Sequence, residues 1–255
     1  GLEVVSSGRW GAESHGRLLE TSFAGAAQEM RELFDVSLNT EDQPLTREQL
    51  VAAMQEYDVL VPTVTDRIDA DMIAAAGRQL GLIANFGAGT EHIDLEAAAE
   101  RHILVTNTPG VFTDDTADLA MAGIIGVPRR IREGVELIRS GEWSGWTPTA
   151  LLGAKLAGKV LGIVGMGRIG QAVAHRARAF GLEIAYHNRK RLPEAVERMF
   201  SARWVDSLDG LMSEADILTL HCPAGPDTHH MIDAQKIGLM KDGSSLINTA
   251  RGDLV

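Results

Sequence analysis

The chain has 255 residues, 45% of them apolar, a formal net charge of -11 and a single cysteine. That length suffices for two compact domains with a large core, and the acidic balance argues against nucleic acid or an anionic membrane as partner. One cysteine allows no intrachain disulfide, which fits a reducing, cytoplasmic compartment. The N-terminus lacks a positive segment followed by an apolar core, so no signal peptide is expected, and the longest apolar run, 119–127, falls far below the roughly twenty residues that span a bilayer.

In chain order, Val4 and Val5 suggest an opening strand and 34–38 another, in a stretch where Gly and Ser are frequent. The pattern then sharpens. Strands are expected at 57–61, 80–84 and 103–105, with an acid-capped helix at 69–78 and a second helix at 95–101. This βαβα rhythm predicts a parallel sheet with helices on both faces. Thr108-Pro109-Gly110 breaks the series, and two domains are expected, 1–105 and 106–255.

Thr113-Asp114-Asp115-Thr116 offers N-capping side chains to a long helix running to about Ser140. Its first half carries Ala117, Leu119, Ala120, Met121, Ile124 and Ile125 nearly all round, so it should be buried. Gly123 and Gly126 each cost about 1 kcal/mol there relative to Ala, which points to close helix–helix approach or else to sequence drift, and Pro128 should kink it. The loop 141–148 holds Trp143 and Trp146, either as a contact surface or pocket wall, or as rings folded back on their own domain.

The segment 159–188 is the most informative. Val160, Leu161, Ile163 and Val164 read as a strand buried on both faces. Gly165-Met166-Gly167-Arg168-Ile169-Gly170 follows at once, then a helical pattern through Ala172, Val173, Ala177 and Phe180, then a strand at 183–187. G-x-G-x-x-G alone is weak, but between strand and helix in a unit of about thirty residues it reads as a dinucleotide site. Gly165 makes the tight turn, Gly167 lets backbone approach a pyrophosphate, and Gly170 lets the helix pack on the strand. About twenty residues on, an NAD site places an acid against the ribose 2′-hydroxyl. Here the chain reads His187-Asn188-Arg189-Lys190-Arg191. A guanidinium pairs with a 2′-phosphate that an acid would repel, so NADP(H) is the preferred coenzyme and NAD(H) the other possibility. The bland alternative is a basic run that solvates a loop. Further strands are expected at 202–205, 217–220 and 245–248, with helices at 207–214 and 233–240. No histidine pattern matches a metal site.

Four motifs in order resemble the D-isomer-specific 2-hydroxyacid dehydrogenase family: Asn85-Phe86-Gly87-Ala88-Gly89-Thr90-Glu91-His92-Ile93-Asp94; Asn107-Thr108-Pro109 with 113–118; 165–170; and Ile247-Asn248-Thr249-Ala250-Arg251-Gly252-Asp253. The tryptophan loop and the non-acidic Asn188-Arg189 are most similar to its glyoxylate/hydroxypyruvate reductase branch. The resemblance implies an α/β fold of two doubly wound parallel-sheet domains, a flavodoxin-like substrate domain and a Rossmann NAD(P)-binding domain, around a cleft, and a homodimer. It implies that Arg251 binds the carboxylate and carbonyl oxygen of a small 2-oxo acid, with the backbone N–H groups of Ala88 and Gly89 on the same carboxylate. It gives Gly165, Gly167, Arg168, Ile169 and Gly170 to the pyrophosphate turn. Asn188, Arg189 and Lys190 fall to the 2′-phosphate, and Cys222, Pro223 and Thr249 to ribose and nicotinamide. The family's general-acid histidine and its orienting glutamate are expected beyond Val255. His221, His229 and His230 do not replace them, and Glu91-His92, where the family more often has Asp-Asn, is expected to be structural. The expected activity is NADP(H)-dependent reduction of glyoxylate or hydroxypyruvate to glycolate or D-glycerate. The other readings are a nonenzymatic dinucleotide sensor of corepressor type, or an NAD-dependent formate- or phosphite-type dehydrogenase.

Overall fold

The computed structural model describes residues 3–6, 25, 28–39 and 43–255, so most of the Gly- and Ser-rich opening lies outside the described residues. The chain divides into two compact units, Gly1–Val111 and Phe112–Val255. Segment 106–111 thus groups with the first unit rather than the second, because Asn107 and Thr108 are bonded to the carbonyls of Ala88 and Gly87.

In the first unit the strands β1 (Glu3–Ser6), β2 (Asp35–Leu38), β3 (Val59–Val61), β4 (Leu82–Ala84) and β5 (Leu104–Thr106) pair in parallel in the order β2-β1-β3-β4-β5. That is the flavodoxin-like winding. Helices α1 (Arg47–Glu56), α2 (Ala70–Ala75) and α3 (Leu95–Glu100) each start at a side-chain cap: Thr46, Asp69 and Asp94 accept from the backbone N–H three residues on, satisfying donors that a helix start leaves orphaned. Leu50, Met54, Leu60, Met72, Ile73 and Ile83 form the centre of its core. The helix expected over 69–78 ends early. Ala76 is extended, and the Arg101 guanidinium takes up the carbonyls of Ile73, Ala74 and Ala76 at 3.0, 2.7 and 2.9 Å. Tyr57 terminates α1 instead of opening β3, and its hydroxyl donates to Ser37 Oγ.

The second unit contains β6 (Val160–Val164), β7 (Glu183–His187), β8 (Ala202–Trp204), β9 (Ile217–Leu220) and β10 (Ser245–Asn248), all parallel, in the order β10-β9-β6-β7-β8. Its helices are α4 (Thr113–Gly126), α5 (Ile131–Arg139), α6 (Arg168–Ala179), α7 (Glu194–Phe200), α8 (Leu208–Glu214) and α9 (Ala234–Ile237). From β6 the sheet grows one way through β7 and β8 and then the other through β9 and β10. The carboxyl ends of β6 and β9 therefore flank the point where such sheets bind ligands. β6 lies at the centre, and Leu161, Ile163 and Val164 are buried as the unbroken apolar run predicts. Among the described residues no helix is long and apolar enough to cross a membrane.

The long helix expected over 113–140 is two helices. α4 starts at Phe112 without a side-chain cap, so 113–116 are its first turn and not its cap. Asp114 and Asp118 instead bind Arg176 of α6 at 2.8 and 2.6 Å. The helix ends at Gly126, and Pro128 lies in the break, a ring that clashes with helical backbone and lacks an N–H. Arg130 takes a left-handed conformation, φ 54, before α5. Burial is one-sided: Ala117, Ala120, Met121 and Ile124 are inside, whereas Leu119 is 65% exposed. Gly123 serves a close approach, but to a strand; a Cβ there would lie 3.2 Å from Ile247 of β10. Trp143 and Trp146 face outward, Trp146 being 82% exposed.

Gly162 in β6 has a comparable purpose, since a Cβ there would sit 2.9 Å from side-chain atoms of both Ala215 and Leu218. Replacing it with Val should push α8 off the sheet and cost about 1–3 kcal/mol. Urea unfolding with an unchanged midpoint would contradict that packing account.

Candidate functional site

The turn after β6 is built from three glycines with three distinct constraints. Gly165 has φ +95, and a Cβ on it would lie 2.8 Å from the Cys222 nitrogen and the His221 carbonyl carbon. The turn is thus pressed against backbone leaving β9. A Cβ on Gly170 would collide with the Gly165 carbonyl oxygen, whereas one on Gly167 meets nothing within 4 Å. Space is closed at the first and third glycines and open at the second, over the start of α6. That helix has no side-chain cap and no acid in its first turn, unlike α1, α2, α3, α8 and α9, which are capped by Thr46, Asp69, Asp94, Ser207 and Asp233. Its first N–H groups and positive dipole are thus left to an anion. Gly167 and Arg168 are exposed and Ile169 half-buried.

β7 delivers Asn188 beside this turn. Its Oδ1 accepts the Met166 N–H at 2.7 Å, so the residue that ends the second strand also fixes the glycine turn. Arg189 and Lys190 are exposed. Arg189 is only loosely balanced by Asp227, 3.9 Å away with both side chains in solvent, a contact of little energy. Arg191 behaves differently and points back to Glu197.

The carboxyl ends of β9 and β10 complete the edge. His221 is largely buried, which holds its imidazole down at about 4 and therefore neutral near pH 7; Nε2 lies 2.9 Å from Thr219 Oγ1. Burial pushes the Cys222 thiol up, and its Sγ contacts Met231 Sδ. Pro223 is exposed, its carbonyl accepting from the Thr228 hydroxyl. His221 Nδ1 and the Thr249 hydroxyl are buried with no partner among the described residues. Such orphaned groups are costly unless something else satisfies them, and this edge therefore fits a polar ligand such as a nicotinamide dinucleotide. Just before Thr249, Asn248 holds the turn that follows, donating to the Arg251 carbonyl at 2.8 Å and accepting the Ala250 N–H at 3.0 Å. Arg251 is half-buried.

The first unit holds the remaining predicted residues, on the loop after β4. Asn85 is buried. Its Nδ2 donates to the carbonyls of Gly87 and Gly89 at 3.0 and 2.8 Å. That orientation leaves Oδ1 as acceptor for His92 Nε2 at 3.0 Å, which fixes the histidine tautomer. His92 thus has a structural bond to Asn85. Asn107 donates to the Ala88 carbonyl. With the carbonyls of Gly87, Ala88 and Gly89 tied inward, no protein acceptor for the N–H groups of Ala88 and Gly89 is found among the described residues.

Hollows of about 440 and 350 Å³ open at the amino ends of the second sheet, one beside Arg178 and Arg203 and the other beside Lys155, Lys159 and Asp216. Open α/β sheets bind ligands at the opposite edge, where the glycine turn and orphaned groups lie, so these hollows are not taken as the ligand site.

The chain matches the family model for the D-isomer specific 2-hydroxyacid dehydrogenase NAD-binding domain over residues 121–255. It belongs to that family. A protein named glyoxylate reductase from Thermococcus litoralis is 44% identical over 230 residues, 89% of this chain and 69% of its own. Another of that name from Aeropyrum pernix is 41% identical over 237 residues, 91% and 70% of the two chains. A crystal structure of a Thermus thermophilus protein superposes with a TM-score of 0.86 at 40% identity, covering 100% of this chain and 75% of that one. The match makes residues 121–255, which carry this edge, an NAD-binding domain, and the solved neighbours agree with the doubly wound sheets.

Sequence reasoning missed the interior ties of this dehydrogenase-family chain. Asn85, Asn188 and Asn248 each follow or end a strand, and that position was a usable signal for loop-fixing side chains. Tyr186 and Glu197 gave none, being eleven residues apart and joined only by the fold.

Two outcomes test the turn. Gly165→Ala should lose about 3 kcal/mol or more, from left-handed strain plus overlap with Cys222. Gly167→Ala should melt like the parent yet bind dinucleotide about tenfold more weakly or worse. Comparable melting points for the two variants would remove the distinction. A pH effect follows from Glu197, held at about 2 against an ordinary 4.5 by the Arg191 guanidinium and then the Tyr186 hydroxyl. A depressed carboxylate contributes stability that is present above 4.5 and lost as pH falls towards 2. The melting temperature should therefore drop more steeply over that window in the parent than in Glu197→Gln, and parallel curves would refute the coupling.

Proposed function

We propose that this chain is an NADP(H)-preferring reductase of small 2-oxo acids, taking glyoxylate or hydroxypyruvate to glycolate or D-glycerate. Its second unit would serve as the Rossmann coenzyme domain and its first as the flavodoxin-like substrate domain, in a cytoplasmic homodimer that also accepts NAD(H) less well. The observation that carries the reading is the end of β7. Where an acid would grip a ribose diol, Asn188 instead ties the glycine turn to a strand end that presents Arg189 and Lys190 to solvent. The names of the two glyoxylate reductases similar to this chain support the substrate class.

When bound, the coenzyme supplies a hydride to the 2-oxo carbon. The chain's own residues bind and orient. Gly167, Arg168 and Ile169 offer backbone N–H groups to the pyrophosphate, aided by the dipole of α6. Cys222, Pro223 and Thr249 hold the ribose and nicotinamide end, the Thr249 hydroxyl gaining the partner it lacks. Arg251 grips the substrate carboxylate and carbonyl oxygen with a planar fork, which fixes the carbonyl carbon for attack. The N–H groups of Ala88 and Gly89, beside carbonyls tied inward, are the first unit's donors for a carboxylate. The carbonyl oxygen also needs a proton. Burial keeps His221 neutral, and we assign proton donation to the family's histidine–glutamate pair, which follows the arginine motif.

Dissociation constants for NADPH and NADH should differ by about tenfold or more in favour of NADPH; equal or reversed values would end the preference. NADPH oxidation should respond to glyoxylate and hydroxypyruvate more than to pyruvate. Arg251→Ala should lower kcat/KM by about 10²–10³, and undiminished turnover in that variant would overturn its role.

A further inference from the structure

The basic run after β7 is two structures, not one patch. Arg189 and Lys190 extend into solvent. Arg191 folds back, its Nε and Nη2 donating to Glu197 Oε1 and Oε2 at 2.9 and 2.7 Å, with its guanidinium 5.6 Å from the centre of the Trp204 ring. Glu197 Oε1 also accepts the Tyr186 hydroxyl at 2.7 Å, and that hydroxyl oxygen accepts the Leu192 N–H at 3.0 Å. Tyr186 and Glu197 are both buried. The turn is therefore fastened at both ends, by Asn188 to the Met166 N–H and by Leu192 to Tyr186.

We propose that Tyr186, Glu197 and Arg191 are positioning residues for coenzyme choice: a buried strut that sets the 188–190 turn so that Arg189 and Lys190 meet a 2′-phosphate, with Arg191 acting as a tie and not as a phosphate ligand. The inference rests on the NADP(H) reading above and adds the residues that make it selective. Two physical arguments support it. Long cationic side chains on a free turn lose backbone and rotamer entropy when they bind, and fastening the turn beforehand removes the backbone part of that loss. A carboxylate near the phosphate would also repel it, and the bidentate guanidinium on Glu197 cancels that charge.

The experiment compares adenosine 2′,5′-bisphosphate with 5′-AMP, which differ only in the 2′-phosphate, by calorimetric titration of the parent, Tyr186→Phe and Glu197→Asp. Neither substitution changes net charge. Each should reduce the advantage of the bisphosphate by about tenfold, with 5′-AMP binding within about twofold of the parent. The salt dependence should stay parental, because the phosphate ligands remain. Arg189→Ala, by contrast, should lose both the advantage and part of the salt dependence. Near-UV circular dichroism identifies the folded variants, and either folded variant suffices to decide. If the parent shows the advantage and the folded variants retain it, the strut is wrong while the coenzyme reading stands. If the parent shows no advantage, the coenzyme reading falls and the strut falls with it.

Discussion

The second unit is organised by a steric constraint at Gly165, where a backbone turn without a side chain is wedged against the main chain of His221 and Cys222. Because the contact is backbone to backbone, no rotamer change relieves it, and it locks the end of β6 to the end of β9. The position of α6 follows from that lock, since Gly170 packs on the Gly165 carbonyl. The open space over Gly167 then lies directly above unpaired helix donors. Shape and electrostatics at this edge are thus two results of one close approach.

Polar side chains do the remaining positioning, and asparagine recurs for a reason. Asn85, Asn188 and Asn248 stand at or just past the ends of β4, β7 and β10, and each bonds backbone of the loop it serves. An amide carries both donors and an acceptor without charge. It can therefore satisfy loop carbonyls and amides without adding a field that would repel an anionic ligand. In the loop after β4 the carbonyls are drawn inward, which turns the Ala88–Gly89 backbone into a donor surface.

What could be read from the sequence was local in origin. β6, the glycine turn, α6 and β7 were legible because their pattern closes within about thirty residues, and β7, β9 and β10 fall at the expected positions. Over 113–140 the sequence placed a kink at Pro128, where the helix does break, but it did not announce the left-handed Arg130 that makes the break complete. The helix's acids served Arg176, 58 and 62 residues away. Within 189–191 the sequence offered three equivalent cations. Only the folded chain, by bringing Glu197 and Trp204 beside Arg191, separates the tie from the two that face water.

The placement of Trp204 has a spectroscopic meaning. Its indole N–H is buried with no acceptor among the described residues, and the Arg191 guanidinium from the turn after β7 rests over its ring. Trp143 and Trp146, by contrast, look into water. Emission from this half-buried indole should lie to the blue of that from Trp143 and Trp146 and respond to any shift of the cation above it. The chain therefore carries an intrinsic optical gauge of the turn after β7, with no attached dye.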